Sequence, residues 1–272
     1  MPFTFSHAAA VVPLNRRGLV LSALVVGSMA PDFEYFLRLQ RTTAISHTVP
    51  GLFLFCVPAG LVVLSLFHFL LKQPLLALLP VSHQRRLLPV TREFTLLPAR
   101  RLLLILVSLA LGTFSHLVWD SFTHYYGWGV QRLPWLRTVI LETSFGRLQV
   151  YKALQHGSTL VGLGLLGYWY ARWYRRAPAA PLPSPPLPAM ARLGIVALIA
   201  LAAGLVAAGY GLRFAPAWML LHALRARSFA AGFTWTRLFV GYAVVPTLAA
   251  GMLGLLAYSA GWHLWKRRAR AA

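Results

Sequence analysis

Acidic residues are scarce in this 272-residue chain. Five Asp and Glu stand against 26 Lys and Arg, and charged residues of either sign make up only 11% of the sequence. A soluble domain carries about a quarter. Cysteine is reduced to one residue, Cys56, inside an apolar run, which excludes an intramolecular disulfide and a thiolate metal cage. There is no phosphate-cradling glycine loop, no nucleophile elbow and no HExxH. The opening "MPFTFSHAAAVVPLNRR" does not read as a cleavable signal, because its arginines follow the apolar part instead of preceding it. The formal charge of +21 would suggest nucleic acid in a soluble protein. Here the basic residues flank apolar runs, and no basic patch is interleaved with aromatics for base stacking. Membrane lipids, not nucleic acid, are the partner this pattern fits.

What is present is apolar sequence, 58% of the chain. Five runs meet or approach the length of about 20 residues that a membrane helix needs: 51–71, 102–119, 157–174, 193–212 and 239–265. A sixth, 18–30, is short and broken by Pro31, and "DFEYFLRLQR" after it is amphipathic; together they read as a buried or re-entrant helix pair. The expected fold is therefore an all-α, multi-pass membrane bundle of five to six segments with that short pair at its N-terminal end. Residues 1–176 carry the motifs. The proline-rich stretch 177–189 cannot be regular helix and reads as a linker. Residues 190–272 supply two plainer helices, and small residues four apart, Gly204 and Ala208, suit close helix packing there. Basic residues divide nearly evenly between the two sides of such a bundle, so charge does not set its orientation. An alternating arrangement does place the N-terminal region and the Asp120 end on one side.

That side gathers unusual chemistry. In "GTFSHLVWDSFTH" His116, Asp120 and His124 recur at i, i+4 and i+8, one stripe of a helix. An imidazole nitrogen and a carboxylate oxygen a turn apart can reach one divalent cation. Ser-His pairs recur at His7, His47 and His116, and Asp32 with Glu34 follows the proline break. A single intramembrane histidine or aspartate is more often a hydrogen-bonded packing residue or a helix cap. The group is harder to dismiss, because both aspartates of an acid-poor chain sit beside helix ends near histidines, where neutral Asn or Ser would serve packing at lower cost. His68 reads as packing, His83 as solvated, His222 and His263 as interface residues, and Glu93 and Glu142 as surface charges in loops. Lys152, Gln155 and His156 line a headgroup site or the polar pocket, or simply sit at the interface; the sequence leaves these open.

Taken together, "MPFTFSHAAAVVPL", "ALVVGSMAPDFEYFLR", "SHTVPGLFLFCVPAGL", "GTFSHLVWDSFTH" and "LQHGSTLVG" resemble the bacterial membrane family known as domain of unknown function 4184. More distantly the chain is similar to the YdjM-type membrane-bound, metal-dependent hydrolases. They share an early histidine, a Pro-Asp pair after an apolar helix, a middle histidine and a His-x-x-x-Asp helix. That resemblance implies His7, Asp32, His47, His116 and Asp120 as ligands of a divalent metal, zinc by preference, in a multi-pass protein of the bacterial cytoplasmic membrane. The expected activity is hydrolysis of a membrane-proximal ester or phosphoester, by analogy with those hydrolases; Glu34 or His124, ionisable groups near the five, is the expected proton-transfer group. The alternative is a non-enzymatic protein in which the same residues form a structural metal site or a hydrogen-bond network. A transporter fits less well, since no duplicated halves with paired broken helices are visible.

Overall fold

The computed structural model describes residues 3–271 apart from 41, 92, 93, 144, 145, 184, 185 and 227; the surface-charge reading of Glu93 lies outside these. The described residues form helices and one β-hairpin. Four helical stretches are long and apolar enough to cross a membrane: Val49–Leu78, Ala99–Arg132, Ala189–Phe214 and Ala231–Ala269. The run at 157–174 lies in a fifth long helix, Val150–Arg176, which is 27 residues long but falls outside those four because polar and basic residues occupy both of its ends.

The chain divides into two compact units. Unit 1 comprises residues 1–34, 43–66 and 93–177; unit 2 comprises 35–42, 67–92 and 178–272. In unit 1 the short helix α1 (Leu21–Gly27) is followed by a 3-10 turn, Ala30–Asp32, and by α2 (Phe33–Arg38), whose remainder belongs to unit 2. The Val49–Leu78 helix, α3, contains two π-helical stretches, Leu52–Cys56 and Leu66–Leu71. Helix α4 is Val81–Leu87 of unit 2, and α5, Ala99–Thr123, is the spine of unit 1. A short α6 (Trp128–Arg132) and the hairpin β1 (Val139–Thr143) and β2 (Gly146–Gln149) lead into α7 (Val150–Arg176). The helical architecture expected from the sequence holds, with this one two-stranded hairpin as its exception among the described residues. Glu142 lies in β1, not in a loop, and pairs with Arg147 of β2 at 2.8 Å. Both side chains are exposed, so the pair adds little stability.

Helix α5 is built inside out relative to a helix in water. Its buried residues include Ser108, Thr113, His116, Asp120 and Thr123, while Leu103 and Phe114 are 62% and 59% exposed. Lipid, being apolar, accepts that outer face; the inner polar face must find its partners within the protein. Helix α1 supplies them. Gly27 and Gly112 let the two backbones touch: a Cβ on Gly27 would lie 2.2 Å from the Leu109 carbonyl oxygen, and one on Gly112 would lie 2.3 Å from that of Leu24. Across the contact the Val20 amide donates to Ser108 Oγ (3.0 Å), and Thr113 Oγ1 donates to the Gly27 carbonyl (3.1 Å). Val20, Ala23, Leu64, Ile105 and Leu109 close the apolar core beside this seam. The N-terminal turn, Thr4–His7, packs on α7, where a Cβ on Gly162 would meet Ser6 at 2.8 Å.

In unit 2 helices α8 (Ala189–Phe214) and α10 (Phe229–Ala271) run antiparallel, joined through α9 (Ala217–Arg225). The close packing expected at Gly204 is one position out of phase. Nothing lies within 4 Å of a Cβ there; the buried stripe of α8 runs instead through Ala203 and Gly211, the latter under the Phe239 ring. A neighbouring residue on a helix is turned by about 100°, so the 204/208 row faces away. Pro74 of α3 has no N–H for the Leu70 carbonyl four residues back. His263 of α10 donates to that oxygen through Nε2 at 2.9 Å.

Candidate metal centre

Four separate segments of unit 1 bring one side chain or more to a common point. His7 ends the N-terminal 3-10 turn, Asp32 ends the turn after α1, His47 lies in the loop before α3, and His116 with Asp120 lies on the inner face of α5. Two overlapping groups result, His7–His116–Asp120 and Asp32–His47–His116, in each of which the donor atoms lie within 4.8 Å of one another. His116 belongs to both. All five residues singled out from the sequence are therefore brought together.

The separations carry chemical information. His116 Nε2 is 3.2 Å from Asp120 Oδ2 and 3.8 Å from Asp32 Oδ1. His47 Nε2 is 3.6 Å from Asp32 Oδ1 and 3.6 Å from Asp120 Oδ2, and His7 Nε2 is 3.5 Å from Asp120 Oδ1. Charge-assisted N–H···O bonds close to about 2.7–2.9 Å. Ligand atoms around a four-coordinate ion with arms of about 2.0–2.2 Å stand roughly 3.3–3.6 Å apart. The cluster has the second spacing. Consistently, His7 Nε2, His116 Nε2, Asp32 Oδ1 and Asp120 Oδ1 are buried and make no hydrogen bond. Buried polar atoms without partners are rare in native proteins, and four of them facing one another fit a divalent cation. Two aspartates and neutral imidazoles around a doubly charged ion also sum to zero net charge, the least costly state to bury.

The remaining atoms of these side chains are anchored. His116 Nδ1–H donates to the Ser28 carbonyl at 2.8 Å, which leaves the Nε2 lone pair for the centre. Thr4 Oγ1 donates to Asp32 Oδ2, which turns Oδ1 inward. His47 Nδ1 lies 3.1 Å from Ser46 Oγ. The His7 ring stacks on His116, centroids 3.9 Å apart. Burial and the neighbouring His116 hold the His7 imidazole down to about 3, so it is neutral and able to ligate at ordinary pH. Burial pushes the Asp32 carboxyl above its usual range, a shift that a bound cation opposes.

The two residues expected to move protons are placed differently from each other. Glu34 joins neither donor group. Its Oε1 accepts from the Ala44 amide (2.9 Å) and its Oε2 from those of Ile45 (3.2 Å) and Ser46 (3.0 Å), so the carboxylate clamps the loop that carries His47. The other side of that loop is held by Cys56 Sγ, which donates to the Ser46 carbonyl at 3.3 Å. Thr48 caps α3 by accepting from the Gly51 amide at 3.0 Å. His124 ends α5 with Nδ1 3.4 Å from Asp120 Oδ1. Its Nε2 is 3.4 Å from Gln155 Nε2 of α7. Of the three polar residues at the start of α7, Gln155 is thus the one that reaches this neighbourhood; His156 is exposed, and Lys152 turns to the Arg147 carbonyl. Access is one-sided: the side chains of His7, Asp32, His116 and Asp120 are buried, whereas those of His47 and His124 are 22% and 28% exposed.

Fold and site define a class, a helical membrane protein with a buried His/Asp centre suited to a metal ion. Within that class the chain belongs to the family described as Domain of unknown function (DUF4184), whose model matches residues 1–260. No curated protein and no solved structure matches it at a significant level.

Proposed function

We propose that the chain is a metal-dependent hydrolase of the bacterial cytoplasmic membrane, with a mononuclear centre that acts on an ester or phosphoester presented at headgroup depth. The observation that carries this reading is the set of buried nitrogen and oxygen atoms facing one another at ligand–ligand spacing. A single ion follows from His116, whose one Nε2 lone pair is common to both donor groups and cannot serve two ions. His7, His116, Asp32 and Asp120 hold the ion, and His47, on the open side, completes or vacates the set. The mixed nitrogen and oxygen donors favour zinc, which when bound supplies Lewis acidity and lowers the pKa of water.

This chain's own residues do the rest. His124, partly exposed and within reach of Asp120, exchanges protons between the centre and water, and Gln155 orients its ring. Glu34 keeps His47 in place and moves no proton. The walls around the buried ligands exclude bulk water, and the lipid-facing surface of α5 presents substrates from the bilayer; the lipid-borne substrate rests on that placement and on the resemblance to membrane-bound hydrolases. The N-terminal helix pair dips into the membrane without crossing it, and α7 is the fifth crossing segment.

The test is metal content and turnover on the full chain in detergent. About one zinc per chain, lost in Asp120→Ala, together with release of headgroup or acyl product from mixed phospholipid vesicles that is lost in His124→Gln while metal is kept, supports the enzyme. No metal in the native protein overturns the centre. Metal without turnover, where stripping it melts the protein, favours a structural staple. The convergence of side chains from four separate segments on one point is the observation that favours this second reading.

A further inference from the structure

Unit 2 contains no Asp or Glu, since all five acids of the chain, at 32, 34, 93, 120 and 142, fall in unit 1. Its basic residues must therefore be balanced by anions from outside the unit. At the C-terminal end of α10 they meet a shaped cavity. Gln73, Trp262, His263, Lys266 and Arg267 line a hollow of about 360 Å³. It shares Gln73, Trp262 and Lys266 with the lining of an adjoining hollow of about 390 Å³. The walls of the second are mainly apolar, among them Leu76, Leu88, Leu182, Pro186 and Trp265. The cationic half is built. Lys266 Nζ stands 4.3 Å over the Trp262 ring centre, and His263 is fixed by its bond to the Leu70 carbonyl freed by Pro74. The apolar half is walled by the proline-rich segment, and Arg192 Nη1 ties the start of α8 to the Leu79 carbonyl at 2.7 Å.

We propose that this two-part groove is a binding site for an anionic phospholipid. The phosphate sits between Lys266 and Arg267 with Gln73 as a donor, and an acyl chain lies along the apolar half. Depth fits this occupant. Lys266 and Arg267 lie near the end of the apolar stretch Ala231–Ala269, and Trp262 and Trp265 lie within about a turn and a half before them, the level of headgroups and the aromatic belt. A cation facing carboxylate-free surroundings at that level has lipid phosphate as its nearest counter-charge. The site is independent of the His/Asp centre and of any activity there.

The experiment is native mass spectrometry on the full chain after delipidation in detergent, titrated with phosphatidylglycerol, with phosphatidylcholine of the same chains, and with inorganic phosphate. One phosphatidylglycerol is expected to bind at least about tenfold more tightly than phosphatidylcholine. Lys266→Gln/Arg267→Gln should remove about tenfold of that affinity, and Lys266→Arg/Arg267→Lys should keep it, with helix content by circular dichroism unchanged. Equal binding of the two lipids, or full affinity in the glutamine variant, overturns the proposal. Displacement of the lipid by millimolar inorganic phosphate overturns it too, because the site then belongs to a soluble anion. If the glutamine variant does not fold, the comparison of the two lipids on the native chain decides.

Discussion

His116 Nδ1–H donates to the carbonyl of Ser28 at 2.8 Å, and the same ring presents Nε2 to Asp120 Oδ2 at 3.2 Å. One side chain thus closes the exposed end of α1 and completes the polar centre. Fold and site share this residue. His116→Ala is expected to abolish metal binding and also to leave a buried carbonyl unsatisfied, at a cost of about 1–3 kcal/mol. Metal analysis and the melting temperature, measured on the same sample, check both halves; retention of metal would refute the assignment.

Gly27 and Gly112 touch no ligand, yet they set the distance between α1 and α5. A Cβ at either would fall well inside contact distance of a backbone carbonyl. Gly112→Ala should therefore force the helices apart, destabilise by about 1–3 kcal/mol, and weaken metal binding at least tenfold without altering a donor. The check is zinc titration beside a melting curve. Gly164, where nothing lies within 4 Å of an added Cβ, serves as the silent control.

Glu34 separates positioning from proton transfer. Its two oxygens accept three backbone amides. Glu34→Ala should free the loop and lower metal affinity through a displaced His47. Glu34→Gln, with one acceptor oxygen left, should fall between it and the native chain. A Glu34→Gln variant with native metal affinity but no turnover would restore the proton-transfer role.

Acid should strip the metal, because protons compete for imidazoles and carboxylates. His7 is not the residue that sets the midpoint. Its pKa is held near 3 in the folded chain against 6.5 when unfolded. The unfolded state therefore binds more protons between those values, and His7 adds stability that is present at neutral pH and lost as pH falls below about 6.5. His7→Gln is accordingly expected to weaken zinc binding by the same factor at every pH across pH 6–8, leaving the slope of zinc affinity against pH unchanged. A changed slope would show that His7 titrates in the native range.

Chelation should lower the melting temperature of the native chain by several degrees and restore it on adding zinc, because two buried carboxylates would then lack their counter-charge. In Asp32→Asn/Asp120→Asn, which carries no such charge, chelator should change nothing. Thermal scans with and without chelator distinguish the cases.

The centre was legible in the sequence because residue types were scarce. Two aspartates in an acid-poor chain, each near a Ser-His pair, and the four-residue step from His116 to Asp120 mark it out. What the sequence hid depends on contacts between distant segments. Nothing in "DFEYFLR" reveals that Glu34 will accept the amides of residues 44–46, and neither Gly27 nor Gly112 differs in sequence from the other glycines. On α8 small residues occupy two adjacent rows, so composition does not choose between the 204/208 row and that of Ala203 and Gly211. The hairpin strands are five and four residues long, too short for an alternating pattern to stand out. The long helices were visible from their apolar length, but at α7 length and hydropathy diverge, which is why its status differs from that of the other four.

The hydrogen bond between Ser28 and His116 joins positions 88 residues apart. During synthesis the first helix is finished, with the Val20 amide and the Gly27 and Ser28 carbonyls still lacking the side chains that will take them up, well before residues 108–120 leave the ribosome. A segment with such loose ends has no stable resting place in hydrocarbon by itself. Its docking is therefore expected to await α5, so that arrival of the polar stripe is the event that closes the N-terminal end of unit 1.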